Sequence, residues 1–143
     1  RNFLFMRQAI AEAEKAFSKG EVPIGAVLVC GERVIARAHN LVETLGDPTA
    51  HAEMQAITAG TNDIGGKYLP ECTLYVTIEP CPMCASAAYW AQVGGVVYGA
   101  EDPKRGFSKF GRALLHPKTR LEKGVLADEC SHLMTGFFQT KRN

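Results

Sequence analysis

The sequence predicts an α/β fold, a three-layer α-β-α sandwich around one mixed five-stranded sheet. Three observations predict it. Met6, Ile10, Ala13 and Phe17 recur at helical spacing, short apolar runs rich in β-branched residues follow, and the elements alternate as α-β-β-α-β-α-β-α-β-α.

The first helix covers residues 2–19, with Glu12, Glu14, Lys15 and Lys19 between its apolar positions, and Lys19-Gly20 ends it. Ile24-Gly25-Ala26-Val27-Leu28-Val29-Cys30 is too short and too β-rich for a helix. It reads as a buried strand, turned at Gly31-Glu32 into a second strand over residues 33–40. Gly46-Asp47-Pro48 marks a turn, and Thr49 is placed to cap a helix that starts just before His51 and runs to about residue 59. Gly and Asn make residues 60–70 a loop. Thr73-Leu74-Tyr75-Val76-Thr77-Ile78 is a strong strand, residues 82–92 a helix with proline in its first turn, and Val96-Val97-Tyr98 a short strand. Residues 101–120 are basic and mixed, with one short helix over 107–115. A last strand over 121–126 leads to a helix over 128–141, whose acidic first turn and basic end suit the helix dipole. Neither a repeat nor a linker interrupts residues 1–143, which read as one domain.

An apolar fraction of 46% and a charged fraction of 22% exclude disorder and fibrous classes. No apolar run approaches the roughly 20 residues that cross a bilayer, so no membrane partner is expected and the cytoplasm is the expected location. The net charge of +1 gives little support for nucleic-acid binding, but its distribution is uneven. Residues 1–100 hold 7 Lys/Arg against 10 Asp/Glu, whereas residues 101–143 hold 9 against 5. Of the five cysteines, Cys30, Cys72 and Cys130 lie in or beside apolar stretches and read as small packed thiols. Cys81 and Cys84 form a Cys-x-x-Cys pair, which in a reducing compartment is metal-binding or redox-active.

The chemistry concentrates in His51-Ala52-Glu53 and Pro80-Cys81-Pro82-Met83-Cys84. Cysteines three apart share a helix face, and helix-start N–H groups favour thiolates over thiols. His51 and Glu53, two apart, would be splayed by about 200° on the side of a helix, so they converge on one ion only if it lies off the helix end. Both helices should therefore point their N-termini at one shared zinc site. Three protein ligands leave zinc a position for water, whose pKa falls toward neutrality, and Glu53 can then move protons during attack. That arrangement predicts hydrolysis. Two other readings are a closed zinc knuckle with Cys72 or His39 as fourth ligand, and a redox cysteine pair that leaves His51 and Glu53 unexplained. His116 and His132 read as surface or packing residues.

The His-x-Glu and Pro-Cys-x-x-Cys pattern resembles that of the zinc-dependent cytidine/nucleobase deaminase superfamily. The resemblance implies a cytidine deaminase-like fold, with His51, Cys81 and Cys84 holding one Zn2+ per subunit. It implies that Glu53 carries a proton from water to the ring nitrogen and then to the departing amine. Along nearly the whole chain the sequence is most similar to the bacterial tRNA adenosine deaminases, which convert a wobble adenosine to inosine. The stretches Glu21-Val22-Pro23-Ile24-Gly25-Ala26-Val27-Leu28-Val29, Asp47-Pro48-Thr49-Ala50-His51-Ala52-Glu53 and Leu74-Tyr75-Val76-Thr77-Ile78-Glu79-Pro80-Cys81 match but recur across base deaminases, while Val97-Tyr98-Gly99-Ala100, Leu115-His116-Pro117, Gly124-Val125-Leu126-Ala127-Asp128-Glu129-Cys130 and Phe137-Phe138 discriminate better.

A tRNA anticodon arm is thus the implied partner and a homodimer the implied assembly. By the same resemblance Asn40, the Ala52 backbone and Pro80 contact the substrate, although Asn40 also reads as a turn residue. The RNA loop would lie on the C-terminal third, against Asp102, Lys104, Arg105, Lys109, Arg112 and Lys118, with Phe137 and Phe138 stacking or packing. Pro82 and Tyr89-Trp90 also occur in guanine deaminase-like proteins, which makes a free guanine or cytosine base the alternative substrate. A zinc-stabilised RNA-binding module without turnover is the third reading.

Overall fold

The computed structural model describes residues 1–142. Its elements are α1 (Asn2–Ser18), β1 (Gly25–Cys30), β2 (Arg33–His39), α2 (Val42–Leu45), α3 (Ala52–Ile64), β3 (Cys72–Ile78), α4 (Pro82–Trp90), β4 (Gly95–Ala100), β5 (Arg120–Glu122) and α5 (Ala127–Arg142). The strands form one sheet in the order β2-β1-β3-β4-β5. β1 runs antiparallel to β2 and β3, while β3, β4 and β5 run parallel, so the sheet is mixed as expected.

Successive side chains on a strand point to opposite faces, and both faces of this sheet are covered. Ala26, Leu28, Leu74, Val76, Val96 and Tyr98 pack with Ala52, Ala56 and Ile57 of α3 and with Ala85 and Ala88 of α4. The alternate residues Val27, Val29, Tyr75 and Val97 pack with Phe5, Met6, Ala9 and Ile10 of α1 and with Cys130 of α5. Two-sided burial explains why β1, β3 and β4 read as nearly continuous apolar runs. Among the described residues no helix is long and apolar enough to cross a membrane.

Five features differ from the sequence reading. α3 continues to Ile64 rather than ending near residue 59. Gly60 is a packing residue there, because a Cβ on it would fall 2.2 Å from Leu28 Cδ2. α3 also begins at Ala52, not before His51, because the Thr49 N–H and hydroxyl both donate to Asp47 Oδ1 at 2.8 Å. The expected helix over 107–115 is two short 3-10 turns, Phe107–Lys109 and Arg112–Leu114, separated at Gly111 by a φ of 123°. β5 stops at Glu122 instead of 126, and the short helix α2 follows β2 where only a turn was expected.

Candidate active site

β3 delivers the chain through Glu79-Pro80-Cys81 to the start of α4, where proline's fixed φ suits the first helical position. Cys81 (φ −72°, ψ 170°) immediately precedes α4, and Cys84 stands in its first turn. His51 (φ −73°, ψ 152°) holds the same position ahead of α3. Both helices thus aim their N-termini at one place, and neither flanking side chain is used as a helix cap.

His51 Nδ1 lies 3.6 Å from Cys81 Sγ and 3.5 Å from Cys84 Sγ. A tetrahedral zinc ion with ordinary Zn–N and Zn–S bonds holds such atoms about 3.6 Å apart, so the three side chains fit the ion. Cys84 is buried behind the cluster, while His51 and Cys81 are half-buried and face a cavity. Among the described residues these three form the one group of His, Cys, Asp and Glu side chains close enough to share a metal.

Neither proposed fourth ligand reaches them. Cys72 begins β3, and a strand rising about 3.3 Å per residue sets it roughly 20 Å from the end that carries Cys81. His39 is engaged elsewhere, with Nδ1 3.1 Å from Glu12 Oε1 and Nε2 3.0 Å from Lys19 Nζ. A closed knuckle with either residue as fourth ligand is thereby removed.

The electrostatics set the two thiols apart. The Cys84 thiol facing Cys81 pulls the Cys81 thiol down to about 4 against the effect of burial, and His51 adds to the pull. Cys84, facing that thiolate and buried, is pushed up. Glu53 is 4% exposed, and burial pushes its carboxyl up to about 7. A carboxyl held there exchanges protons readily near neutrality.

The cavity has a volume of about 460 Å³ and is lined by His51, Ala52, Glu53 and Cys81 together with Asn40, Asp102, Arg105, Phe137 and Phe138. Asn40 fits its reading as a turn residue, since its Oδ1 accepts the Val42 N–H at 3.3 Å, and it also lines the cavity. Pro80 is buried outside the lining, where its carbonyl accepts the Phe107 N–H at 2.9 Å. Lys104 and Lys109 are exposed on the neighbouring segment, also outside the lining. Arg112 is committed to the carbonyls of Leu115, His116 and Thr119, an internal role rather than a free cation. Phe137 is buried edge-on to Phe17 at 5.8 Å, whereas Phe138 is 45% exposed at the rim.

Three residues that shape the cavity were not singled out from the sequence. Gln55 Nε2 donates to the carbonyls of His39 (2.8 Å) and Ala50 (3.2 Å), tying the end of β2 to the approach of α3 and so Asn40 to His51. Glu21 is wholly buried and accepts the Glu43 N–H (3.0 Å), the Thr44 N–H (2.6 Å) and the Thr44 hydroxyl (2.6 Å), fixing α2 as a wall. Glu79 accepts the Asp102 N–H (3.1 Å), the Ser108 N–H (3.0 Å) and the Ser108 hydroxyl (2.6 Å). The available signal for the two glutamates was an acid lodged against an apolar run, a position that burial makes costly without donors.

A family model described as the cytidine and deoxycytidylate deaminase zinc-binding region matches residues 2–100. The chain is similar to the tRNA-specific adenosine deaminase of Bacillus subtilis (strain 168), with 48% identity across 97% of this chain and 89% of that protein. A solved structure from work on A-to-I editing by tRNA:A34 deaminases at the wobble position is 40% identical. It covers 91% of this chain and 98% of its own, with a TM-score of 0.85. The solved guanine deaminase of Bacillus subtilis is 42% identical across 68% of this chain and 63% of its own, with a TM-score of 0.65.

Proposed function

The chain belongs to the cytidine and deoxycytidylate deaminase zinc-binding family, and from that premise we propose that it hydrolyses adenosine to inosine at the wobble position of a tRNA anticodon. The observation that carries this reading is the buried carboxyl of Glu53 in the same cavity as an open His51, Cys81 and Cys84 cluster. Those three residues would hold one zinc ion per chain, and the ion, when bound, supplies an activated water for attack on an amine-bearing ring carbon. Glu53 would pass one proton of the water to the ring nitrogen, where inosine keeps it, and the second, from the hydroxyl formed on the ring carbon, to the amine, which leaves as ammonia. A closed fourth position would have no use for such a carboxyl.

The substrate reading draws on the 48% identical tRNA-specific enzyme, whose likeness spans 97% of this chain, and on the cavity mouth. A base inside a duplex cannot enter a pocket, whereas an anticodon loop presents its bases at little unstacking cost. Asn40 and Ala52 line the cavity and would meet the entering nucleoside, and Arg105, Asp102 and Phe138, which also line it, would meet its neighbours. Lys104 and Lys109 add positive charge on the same segment for the phosphates. Residues 1–143 act as one catalytic domain, in the cytoplasm and as a homodimer, as the family resemblance implies.

The 42% identical guanine deaminase favours a second reading, deamination of a free base, over the 68% of the chain that it matches. One comparison separates the two. Inosine formation in an anticodon stem-loop with a wobble adenosine is measured beside ammonia release from free guanine, cytosine, cytidine and adenosine. Inosine in the RNA with little release from free bases is expected; turnover of free bases alone would overturn the tRNA reading.

A further inference from the structure

We propose that Glu79 is a positioning residue that sets the grip on the nucleic acid, a role that rests on the tRNA reading above. Its carboxylate lies at the end of β3, two residues before Cys81, and is 4% exposed. All three hydrogen bonds it accepts come from the segment over residues 101–110, none from its own strand: Asp102 N–H, Ser108 N–H and Ser108 hydroxyl. A buried carboxylate is costly unless donors are aimed at it, and here every donor belongs to the segment that carries Asp102 and Arg105 to the cavity mouth.

The fit leaves no room for a side chain at Gly106. A Cβ there would stand 2.3 Å from the Glu79 carboxyl carbon and 2.4 to 2.5 Å from its oxygens, so the segment wraps the carboxylate with bare backbone. Asp102 then continues the chain of contacts, its Oδ1 accepting the N–H groups of Lys104 (3.2 Å) and Arg105 (3.1 Å). Glu79 thereby orders the stretch that presents the Asp102 carboxylate and the Arg105 cation at the mouth, with Lys104 exposed between them.

The segment does not depend on Glu79 for its attachment. Phe107 is 1% exposed, lies edge-on to Tyr98 at 6.3 Å, and donates its N–H to the Pro80 carbonyl at 2.9 Å. Loss of the carboxylate should therefore loosen residues 101–106 while leaving the fold and the ligand segment in place. Glu79 lines the same cavity, but none of the groups that hydrogen-bond its carboxylate belongs to the His51, Cys81 and Cys84 cluster, so its effect should fall on substrate binding and not on the chemical step.

The test compares Glu79→Gln, Gly106→Ala and Ser108→Ala with the unsubstituted protein, all zinc-loaded, on a wobble-adenosine stem-loop, with zinc content and Tm measured in parallel. Glutamine keeps the size but cannot accept from both sides, and alanine at 106 displaces the carboxylate from the opposite direction. Both are expected to raise KM about tenfold with kcat within about twofold and zinc at one per chain. Ser108→Ala removes only the hydroxyl donor and should raise KM about threefold, which keeps the test decisive if Glu79→Gln folds poorly. The Glu79→Gln, Gly106→Ala double variant should lose no more than the worse single one, because both break one contact. An unchanged KM, or a fall in kcat that follows lost zinc, would overturn the assignment. Absence of RNA turnover by the unsubstituted protein is a different result, and it removes the tRNA reading on which the assignment rests.

Discussion

His51 Nδ1 stands 3.5 Å from Cys84 Sγ, although the two residues belong to different helices and are 33 positions apart in the chain. That separation matches the edge of a tetrahedral zinc site, and two helix starts hold it without help from a disulfide.

Zinc should bind at one ion per chain, and either His51→Ala or Cys84→Ser should reduce the bound metal to a small fraction of that. Activity should fall by at least about a thousandfold on chelation and return with added zinc. The secondary structure should survive, because both faces of the sheet are packed independently of the cluster. Elemental analysis beside far-ultraviolet circular dichroism reads both quantities. A metal-free protein that unfolds would mean that zinc is structural here.

Glu21 should make the protein acid-sensitive. Burial alone would raise its pKa, but the Thr44 hydroxyl and the N–H groups of Glu43 and Thr44 outweigh burial and hold the carboxyl below its ordinary value. Because the folded pKa is the lower one, the stabilisation is complete above the unfolded value near ~4.3 and disappears as pH falls through the folded value. Glu21→Gln should therefore cost about 2 kcal/mol at pH 7 and progressively less below about pH 4. Urea unfolding at pH 7, 5, 4 and 3 measures the gap; a gap constant with pH would count against the carboxylate.

Two arginines of the C-terminal third, Arg105 and Arg112, should separate cleanly. Arg105, exposed and lining the cavity mouth, should raise KM for RNA several-fold when changed to alanine and reduce the logarithmic salt dependence by about 0.7. Arg112 holds the carbonyls of Leu115, His116 and Thr119, so Arg112→Ala should lower stability by about 1–3 kcal/mol with the salt dependence unchanged. Thermal melts and KM at two salt concentrations decide it, and a reversal of the two phenotypes would misplace the RNA path.

Much of this site is legible in the sequence because its parts are local. The spacing of Cys81 and Cys84, and the angle between His51 and Glu53, depend only on helix geometry, so once the two segments are taken to share one ion their convergence at two helix starts follows. The apolar runs of β1, β3 and β4 likewise mark a covered sheet. Glu79 with Gly106, and Glu21 with Thr44, are contacts between residues more than 20 positions apart, with no periodicity to reveal them. The stretch from 101 to 126 departs from its sequence reading for a related reason. Its course is set by left-handed turns at Gly111, Gly124 and Leu126 and by Phe107 dropping into the core, none of which leaves a repeating pattern.

Glu53 carries the central claim. Rates of inosine formation by the unsubstituted protein and by Glu53→Gln, each with one zinc per chain, on an anticodon stem-loop with a wobble adenosine test it most directly. The unsubstituted protein should release one ammonia per inosine, and Glu53→Gln should keep its zinc and turn over at least about a thousandfold more slowly. Equal rates for the two proteins would contradict the proton-transfer role, and no inosine from either would contradict the reaction itself.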